Sequence, residues 1–543
     1  NATESLNIVL KGLLHPGDHV ITTEMEHNSV LRPLYELEEK GIGVTIVFCE
    51  KNGTISCEKI KQAIGKNTKA IVCTHASNVT GDGNDIAQIG TLCEKYNLYF
   101  ILDASQTAGT IEIDMEQNHI SAICFTGHKG LFGPQGTGGI ALADGVCVKP
   151  LLSGGSGVHS FERKHPMELP AALEAGTLNG HGIAGLHAAL DWIKKTGIAA
   201  IHEKEMALAE QFQRGIETIP GIHLYGGEKR VAAIVSCNLA DLDSAYVSDC
   251  LAENYGIATR AGAHCAPQIH THFGTEKQGM VRFSFSCFNT TEEVEKAVRA
   301  MQDIAAENRG KVTAYVGAGG KTSSIRKRAE TLRAEGKRVL ILTTTKMMVP
   351  QEQEIFAAYE QTGQESVISA TASVWQERRA AEKQLKERVQ SVLDTYGCCV
   401  AGSLIPDTEK FGMLPEKLME DLLYLADEIL IEADGSAHMP VKAPAEHEPV
   451  LFPYMDEVVI VMGAHAIGKP LREVCHRADY AKKILKCDAD KIVTATDIRV
   501  LAEQGYAIPI QKQFPWMKIS KVTGKDIKLC LTAEKKDKER DKQ

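Results

Sequence analysis

The sequence predicts an α/β protein built from more than one domain, and three observations predict it. Short β-rich runs alternate with amphipathic stretches of helix length through the first part of the chain, the pattern of a largely parallel sheet covered by helices. Polar residues recur just after those apolar runs, at the strand ends where an open parallel sheet places its ligand. Near residue 309 the whole pattern begins again.

The elements follow in order. "NATESLNIVL" opens without methionine on a helix-start signal, with Asn1 or Thr3 as the cap; the chain therefore reads as a fragment that lacks its N-terminal segment. Strands are expected at "HVITTEM", "VTIVFCE", "AIVCTHAS", "YFILDAS" and "AICFTGH", with helical spacers such as "DIAQIGTLCEKYN". Long helices are expected over about 183–217, then strands "VAAIVSCNL", "IATRAG" and "MVRFSFSC" and a helix over about 291–306, a mixture that reads as a small α+β domain. After "AAENRGKVTAYVG" come a glycine loop, a helix, and strands "RVLILTTT", "EILIEAD", "EVVIVMG" and "KIVTATD". The expected domains are 1–200 (large), 201–308 (small), 309–532 (a second α/β domain) and a charged, disordered tail at 533–543.

The bulk numbers fit this division. At 543 residues, about 150 residues per domain gives three or four units. A hydrophobic fraction of 43% and a charged fraction of 24% are ordinary for a globular protein. The net charge of −10, with both signs intermixed, marks neither a nucleic-acid nor an anionic-membrane partner. No apolar run approaches the ~20 residues of a membrane helix, and no leader pattern is present. The 15 cysteines are scattered with no CxxC pair, which points to thiols in a reducing cytoplasm.

The polar strand ends are His27, Asn78, Asp103, Gln106 and the pair His128–Lys129. Lys129 stands in "FTGHKGLFGPQGTGG", where a lysine can be a surface charge, a phosphate ligand or a covalent attachment point. Together with "NATE", "MEHNSVLRPL" and "HASNVTG", these residues resemble the class V branch of the fold-type I pyridoxal-phosphate enzymes, in its cysteine desulfurase and selenocysteine lyase group, over residues 1–306. The resemblance implies a large α/β domain followed by a small α+β domain. It implies Lys129 as the covalent anchor of pyridoxal phosphate and the later carrier of the α-proton. It implies Asp103 as the carboxylate facing the pyridine nitrogen, Gln106 at the ring hydroxyl, and His27 stacked over the ring and available for proton transfer. Ala2, Thr3, Thr126 and His128 match the phosphate site, where backbone amides at a helix start and small hydroxyls are needed. Thr177 in "EAGTLNG" matches a phosphate ligand given by a partner subunit, hence a homodimer. Asn78 and Arg282 match the substrate side, the guanidinium clamping an α-carboxylate in a fork, with Arg260 assisting.

The lysine alone leaves the reaction open, because transaminases and kynureninases share it. "TRAGAHCAPQIHTHFG" narrows it: Cys265 lies in a Gly- and Ala-rich loop after Arg260, and a thiolate near positive charge is the better nucleophile. In the resembled family the matching cysteine takes sulfur from the substrate, becomes a persulfide and releases alanine. L-cysteine and L-selenocysteine differ by one atom and are not separated. Alternative readings are an inert buried thiol, a zinc site of His264, Cys265, His270 and His272, and a transaminase-like or β-eliminating enzyme in which Cys265 is silent.

A second lysine stands in "YVGAGGKTSS". Backbone amides of such a loop cradle phosphates, the lysine reaches the outer phosphates, and the hydroxyl binds Mg²⁺. The full G-x-x-x-x-G-K-[ST] pattern needs glycine at 315, where Tyr315 stands, so this is a variant P-loop or a turn whose glycines serve only packing. The nucleotide candidates are Gly317, Gly319, Gly320, Lys321 and Thr322, with Thr322 and Asp434 as Mg²⁺ candidates and Glu432 a weaker one; Thr343, Thr344 and Thr345 end another strand. With "TTTKM", "EADGSAHMPVKAPAEHEPV" and "GKPLREVCHRAD", residues 311–532 resemble the selenium-dependent molybdenum hydroxylase accessory (YqeC) family. That resemblance implies ATP or GTP binding and maturation factors of those hydroxylases as acceptors of the sulfur or selenium; Lys442, His447 and His476 fall in the matching stretches without a chemical role. The alternative of another class is a non-catalytic, nucleotide-dependent scaffold.

Overall fold

The computed structural model describes residues 1–360 and 372–524. The chain divides into two compact units, residues 1–304 and 305 onward.

The first unit is built on a six-stranded sheet. Its strands are β1 (His19–Thr23), β2 (Gly43–Val47), β3 (Thr68–Thr74), β4 (Tyr99–Asp103), β5 (Ala122–Thr126) and β6 (Gly138–Leu142), in the order β2-β1-β3-β4-β5-β6. The first five are parallel, and β6 runs antiparallel to β5. Both faces are apolar, as a helix-covered parallel sheet requires. Phe100 and Leu102 enter one core with Ile21, Ile71 and Cys73, whereas Ile101 enters the other with Val20, Val72 and Cys124. Helices Ala2–Leu13 and Asn28–Glu38 supply Leu6, Val9, Leu10, Val30 and Leu34 to that second core. Parallel register brings Thr23, Thr74, Asp103 and Thr126, the last residues of β1, β3, β4 and β5, to one edge.

Local signals set the boundaries. Asn1, one of the two expected caps, takes the role: its Oδ1 accepts from the Glu4 amide at 3.0 Å. Helix Ile86–Tyr96 starts at Asp85 and stops at Asn97, whose φ of 52° ends it in the left-handed region. The long helical stretch is two helices, Gly180–Thr196 and Ile198–Ile216, parted by Gly197 at φ 89°. Of the small-domain strands, β7 (Ile222–Tyr225), β8 (Ile234–Leu239) and β9 (Val281–Ser284) form an antiparallel sheet. "IATRAG" is no strand: Arg260 pairs with Arg282 as an isolated bridge, the Gly262 carbonyl accepts the Met280 amide at 3.2 Å, and Gly262 at φ 92° turns the chain away there.

The second unit holds β10 (Lys311–Gly317), β11 (Val339–Thr343), β12 (Met347–Met348), β13 (Phe356–Tyr359), β14 (Cys398–Leu404), β15 (Lys410–Gly412), β16 (Glu428–Glu432), β17 (Val441–Lys442), β18 (Glu457–Gly463), β19 (Cys475–His476) and β20 (Lys518–Gly524). Its main sheet runs β12-β15-β14-β11-β16-β10-β18-β20, with β13 added on β14, and its central pairs are parallel. β17 and β19 form a separate parallel pair. "KIVTATD" is not a strand. Thr494 and Asp497 close a reciprocal capping box and start helix Ala495–Val500, so side-chain capping overrides the β-branched run. The expected tail at 533–543 lies outside the described residues. Among the described residues no helix is long and apolar enough to cross a membrane.

Candidate functional site

The carboxyl edge of the first sheet gathers the expected residues. His27 follows β1 and caps helix Asn28–Glu38: its Nδ1 accepts the Ser29 amide at 3.0 Å and stands 2.6 Å from the Ser29 hydroxyl. That hydroxyl is 3.1 Å from Thr3 Oγ1 at the first turn of helix Ala2–Leu13. An Nδ1 that accepts an amide proton leaves the ring hydrogen on Nε2. Burial lowers the pKa of His27; Asp103 opposes the shift, and Lys129, Arg260 and Arg282 reinforce it. The ring is therefore a neutral Nε2–H donor at pH 7.

Asp103 ends β4, is 3% exposed, and its Oδ1 accepts the Ser105 amide at 2.9 Å as well as the Ser105 hydroxyl. Lys129 is exposed as a residue, yet burial of its amine lowers its pKa, opposed by Asp103 and reinforced by Arg282 and Arg260. Thr126 Oγ1 is 2.8 Å from His128 Nδ1. Gln106 is half-buried, Ala2 is buried, and Thr177 is exposed.

Residues around the three-stranded sheet of the first unit complete the site. Asn78 Nδ2 donates to the His264 carbonyl at 2.8 Å, and Arg282 donates to the Asn78 carbonyl at 3.0 Å. Asn78 Oδ1 and Arg282 Nε are buried and make no hydrogen bond. Burial first, and Arg260 second, push the Arg282 pKa down to about 10. Cys265 is exposed, with Arg260 Nη2 3.7 Å from its sulfur. His264 and Cys265 both hold positive φ, 51° and 59°, a strain that persists only where surrounding contacts fix it. Those contacts are present: the Cys265 carbonyl accepts the Asn28 amide at 2.7 Å, so the thiol loop is pinned to the residue after His27. Asn28 escaped sequence reading because a backbone amide carries no side-chain signal. The histidines of this loop have separate partners: His264 Nε2 is 3.0 Å from the Met280 carbonyl and His270 Nδ1 is 2.8 Å from Thr275 Oγ1. Among the described residues no three His, Cys, Asp or Glu side chains are placed to hold a metal, so the zinc alternative has no ligand set.

Glu26 also escaped sequence reading. It is fully buried, and its Oε1 takes both the Thr23 hydroxyl at 2.6 Å and the Thr74 amide at 3.0 Å, tying the ends of β1 and β3. Burial pushes its pKa up from 4.5 to about 8 against those two hydrogen bonds, and Asp103 adds to the rise. An acid that holds its proton more tightly when folded loses stability as pH rises from its unfolded pKa to its folded one. Glu26→Gln keeps an oxygen for both donors and cannot ionise. We expect its folding stability to exceed the wild type's by a margin that grows between pH 5 and pH 8, reaching at most ~5 kcal/mol and read as a widening gap in melting temperature; parallel curves across that range would contradict it.

These residues fit pyridoxal phosphate: an amine of lowered pKa, a buried carboxylate on a central strand, a helix start beside hydroxyls, and two buried polar atoms awaiting a partner. When bound, that cofactor supplies an electron sink for bonds at an amino acid's α- and β-carbons.

In the second unit, Gly317, Gly319 and Gly320 hold φ of 94°, 77° and 127°. A Cβ at Gly317 would strike the Val461 carbonyl, and one at Gly319 the Pro440 carbonyl, whereas Gly320 faces open space. Packing thus explains two glycines but not the third. Lys321 opens helix Lys321–Ala334, is 4% exposed, donates to the Gly317 carbonyl at 2.6 Å and stands 3.1 Å from Asp434 Oδ1. The Thr322 hydroxyl donates to Glu432 at 3.0 Å rather than to Asp434. Thr343 bonds the Glu432 carbonyl, Thr344 the Val450 carbonyl, and Thr345 bonds Thr343. Lys442, without a role from sequence, is wholly buried and bonds the Gly435 carbonyl at 2.6 Å, Glu448 at 2.9 Å and Asp434 at 3.3 Å. His476 is half-buried beside it on β19, and His447 is exposed.

Residues 1–297 match the family model for aminotransferase class-V, and residues 313–479 match that for YqeC protein. A probable cysteine desulfurase of Methanothermobacter thermautotrophicus is 33% identical over 56% of this chain and 78% of its own length. A cysteine desulfurase of Shigella flexneri is 30% identical over 56% of this chain and 76% of its own. Among solved structures, the apo cysteine desulfurase of Thermococcus onnurineus NA1 superposes with a TM-score of 0.53 at 30% identity, covering 56% of this chain and 78% of that one. The Escherichia coli cysteine desulfurase CsdA, in an S-sulfonic acid form, gives 0.53 at 29% identity over 56% and 77%.

Proposed function

The chain belongs to the class-V aminotransferase family through residues 1–297, and from that premise we propose that its first unit is a pyridoxal-phosphate-dependent cysteine desulfurase. The carrying observation is the Cys265 thiol, exposed on a strained loop 3.7 Å from Arg260 and pinned beside His27.

Lys129 would hold the cofactor and would serve as the base that moves the substrate's α-proton, a role its lowered pKa favours. Arg282 offers its unused Nε to the substrate carboxylate. His27 presents Nε2–H for proton transfer. The Cys265 thiolate attacks the substrate sulfur: an S–S bond forms as the Cβ–S bond breaks, the pair left on Cβ takes a proton, and alanine leaves with Cys265 as a persulfide. L-Selenocysteine fits the same groups. Thr177 is assigned to the phosphate site of a second copy, a reading supported by the exposed Leu152, Phe161, Met167 and Leu169 on the same segment.

The second unit is read as a nucleotide-binding accessory domain, ATP or GTP with Mg²⁺, acting in maturation of selenium-dependent molybdenum hydroxylases. Support comes from the YqeC match and from the glycine loop after β10 lying beside the acid-ended β16, its in-register neighbour at Tyr315–Glu432.

The full chain, loaded with pyridoxal phosphate and given L-cysteine, tests the reading: alanine and protein-bound sulfane sulfur should appear in equal amounts in the first turnover. Pyruvate with free sulfide instead indicates β-elimination, and amino transfer to a keto acid indicates a transaminase.

A further inference from the structure

Asp434 follows β16 and is 2% exposed. Its Oδ2 accepts the Gly317 amide at 3.0 Å and the Tyr506 hydroxyl at 2.9 Å, and it lies 3.3 Å from Lys442 Nζ. Its Oδ1 is buried without a hydrogen bond and stands 3.1 Å from Lys321 Nζ. Gly317 N–H and Lys321 are two of the donors that the loop would turn toward a phosphate. Both are engaged by one internal carboxylate, and Lys321 is drawn onto the Gly317 carbonyl besides.

We propose that Asp434 is an internal anion lodged in the loop's phosphate cradle, which an incoming nucleotide phosphate must displace, and that Lys442 and Tyr506 hold it once displaced. The inference rests on the nucleotide reading of residues 317–322. It removes Asp434 from the metal shell and leaves Glu432, already bonded to Thr322, as the acid on the Mg²⁺ side.

Lys442 and Tyr506 already contact Asp434 in the cradle, and they are what remains to hold it once the loop's donors turn to a phosphate. Lys442 is anchored independently, by Glu448 and the Gly435 carbonyl, and Glu448 is held in turn by Arg477 at 3.0 Å. Tyr506 is completely buried in a π-helical segment, Leu501–Ala507, a form frequently found at functional sites. Its hydroxyl touches Asp434 and not the loop, so it can affect phosphate binding only by where it holds that carboxylate. A protein whose competent state is a fraction of the whole binds with affinity reduced by that fraction. Loosening Asp434 from the cradle therefore tightens binding, and loosening it from Tyr506 weakens it.

The experiment titrates a fluorescent ATP analogue into the full chain, with and without Mg²⁺, for wild type, Asp434→Asn and Tyr506→Phe. The expected result is Asp434→Asn binding about tenfold tighter with its Mg²⁺ dependence intact, and Tyr506→Phe about threefold weaker. Tyr506→Phe removes one hydroxyl and gives an independent reading should Asp434→Asn fail to fold; unchanged or tighter binding by it overturns the proposal. Weaker binding by a folded Asp434→Asn, or loss of its Mg²⁺ dependence, marks Asp434 as a metal ligand and overturns the proposal while the nucleotide reading stands. No binding by any of the three overturns that reading, and this inference with it.

Discussion

Cys265→Ser is expected to cut alanine formation from cysteine by at least ~10³-fold while the cofactor stays bound and its absorbance unchanged. Serine accepts the same backbone: it can keep the carbonyl bond to Asn28, and its smaller oxygen adds no bulk beside Arg260. What it lacks is a nucleophile that can form a bond to sulfur and hold a persulfide. The positive φ at 264 and 265 belongs to the same argument. Strain of ~1–3 kcal/mol per residue persists where surrounding structure fixes it, and here it accompanies an exposed thiol 3.7 Å from Arg260. First-turnover alanine and bound sulfane sulfur, measured together, check the result. Full turnover by the serine variant would make Cys265 a bystander and favour β-elimination.

The second large effect falls on Asp103. Asp103→Asn keeps an oxygen for the Ser105 amide but removes the charge at the end of β4. We expect a ~10²–10³-fold loss in kcat with a much smaller change in KM, the signature of an electrostatic contribution that grows toward the transition state. A second consequence has a definite sign. Asp103 raises the pKa of both Lys129 and His27; without it both titrate lower, so any activity limb set by either group moves to lower pH. A pH profile of kcat for wild type and variant reads both effects, and equal kcat values would separate Asp103 from the chemistry.

The fold of the first unit was legible because its strands are nearly continuous apolar runs and its helices carry their own punctuation at Asn1, Asp85 and Asn97. Parallel strands end together, so the same runs also placed Asp103, Thr126 and the residues after them at one edge. What stayed hidden has physical reasons. "IATRAG" and "KIVTATD" have strand composition, but a glycine turn and a capping box, both local backbone devices, override it. Glu26 reads as one acid among many until burial shows its Oε1 tying two strand ends. Asn28 acts through its amide alone. In the second unit the sequence marked Asp434 as an acid at a strand end, but only tertiary contacts reveal that Gly317, Lys321, Lys442 and Tyr506 all converge on it.

Lys129 as the amine that holds the cofactor is open to one direct measurement. The full chain is loaded with pyridoxal phosphate, reduced with borohydride, digested and mapped by mass spectrometry. The pyridoxyl mass should fall on the peptide carrying Lys129, and Lys129→Ala should show neither the label nor the reducible absorbance band. A label on another lysine, Lys321 included, or a Lys129→Ala protein that still takes the label, would contradict it.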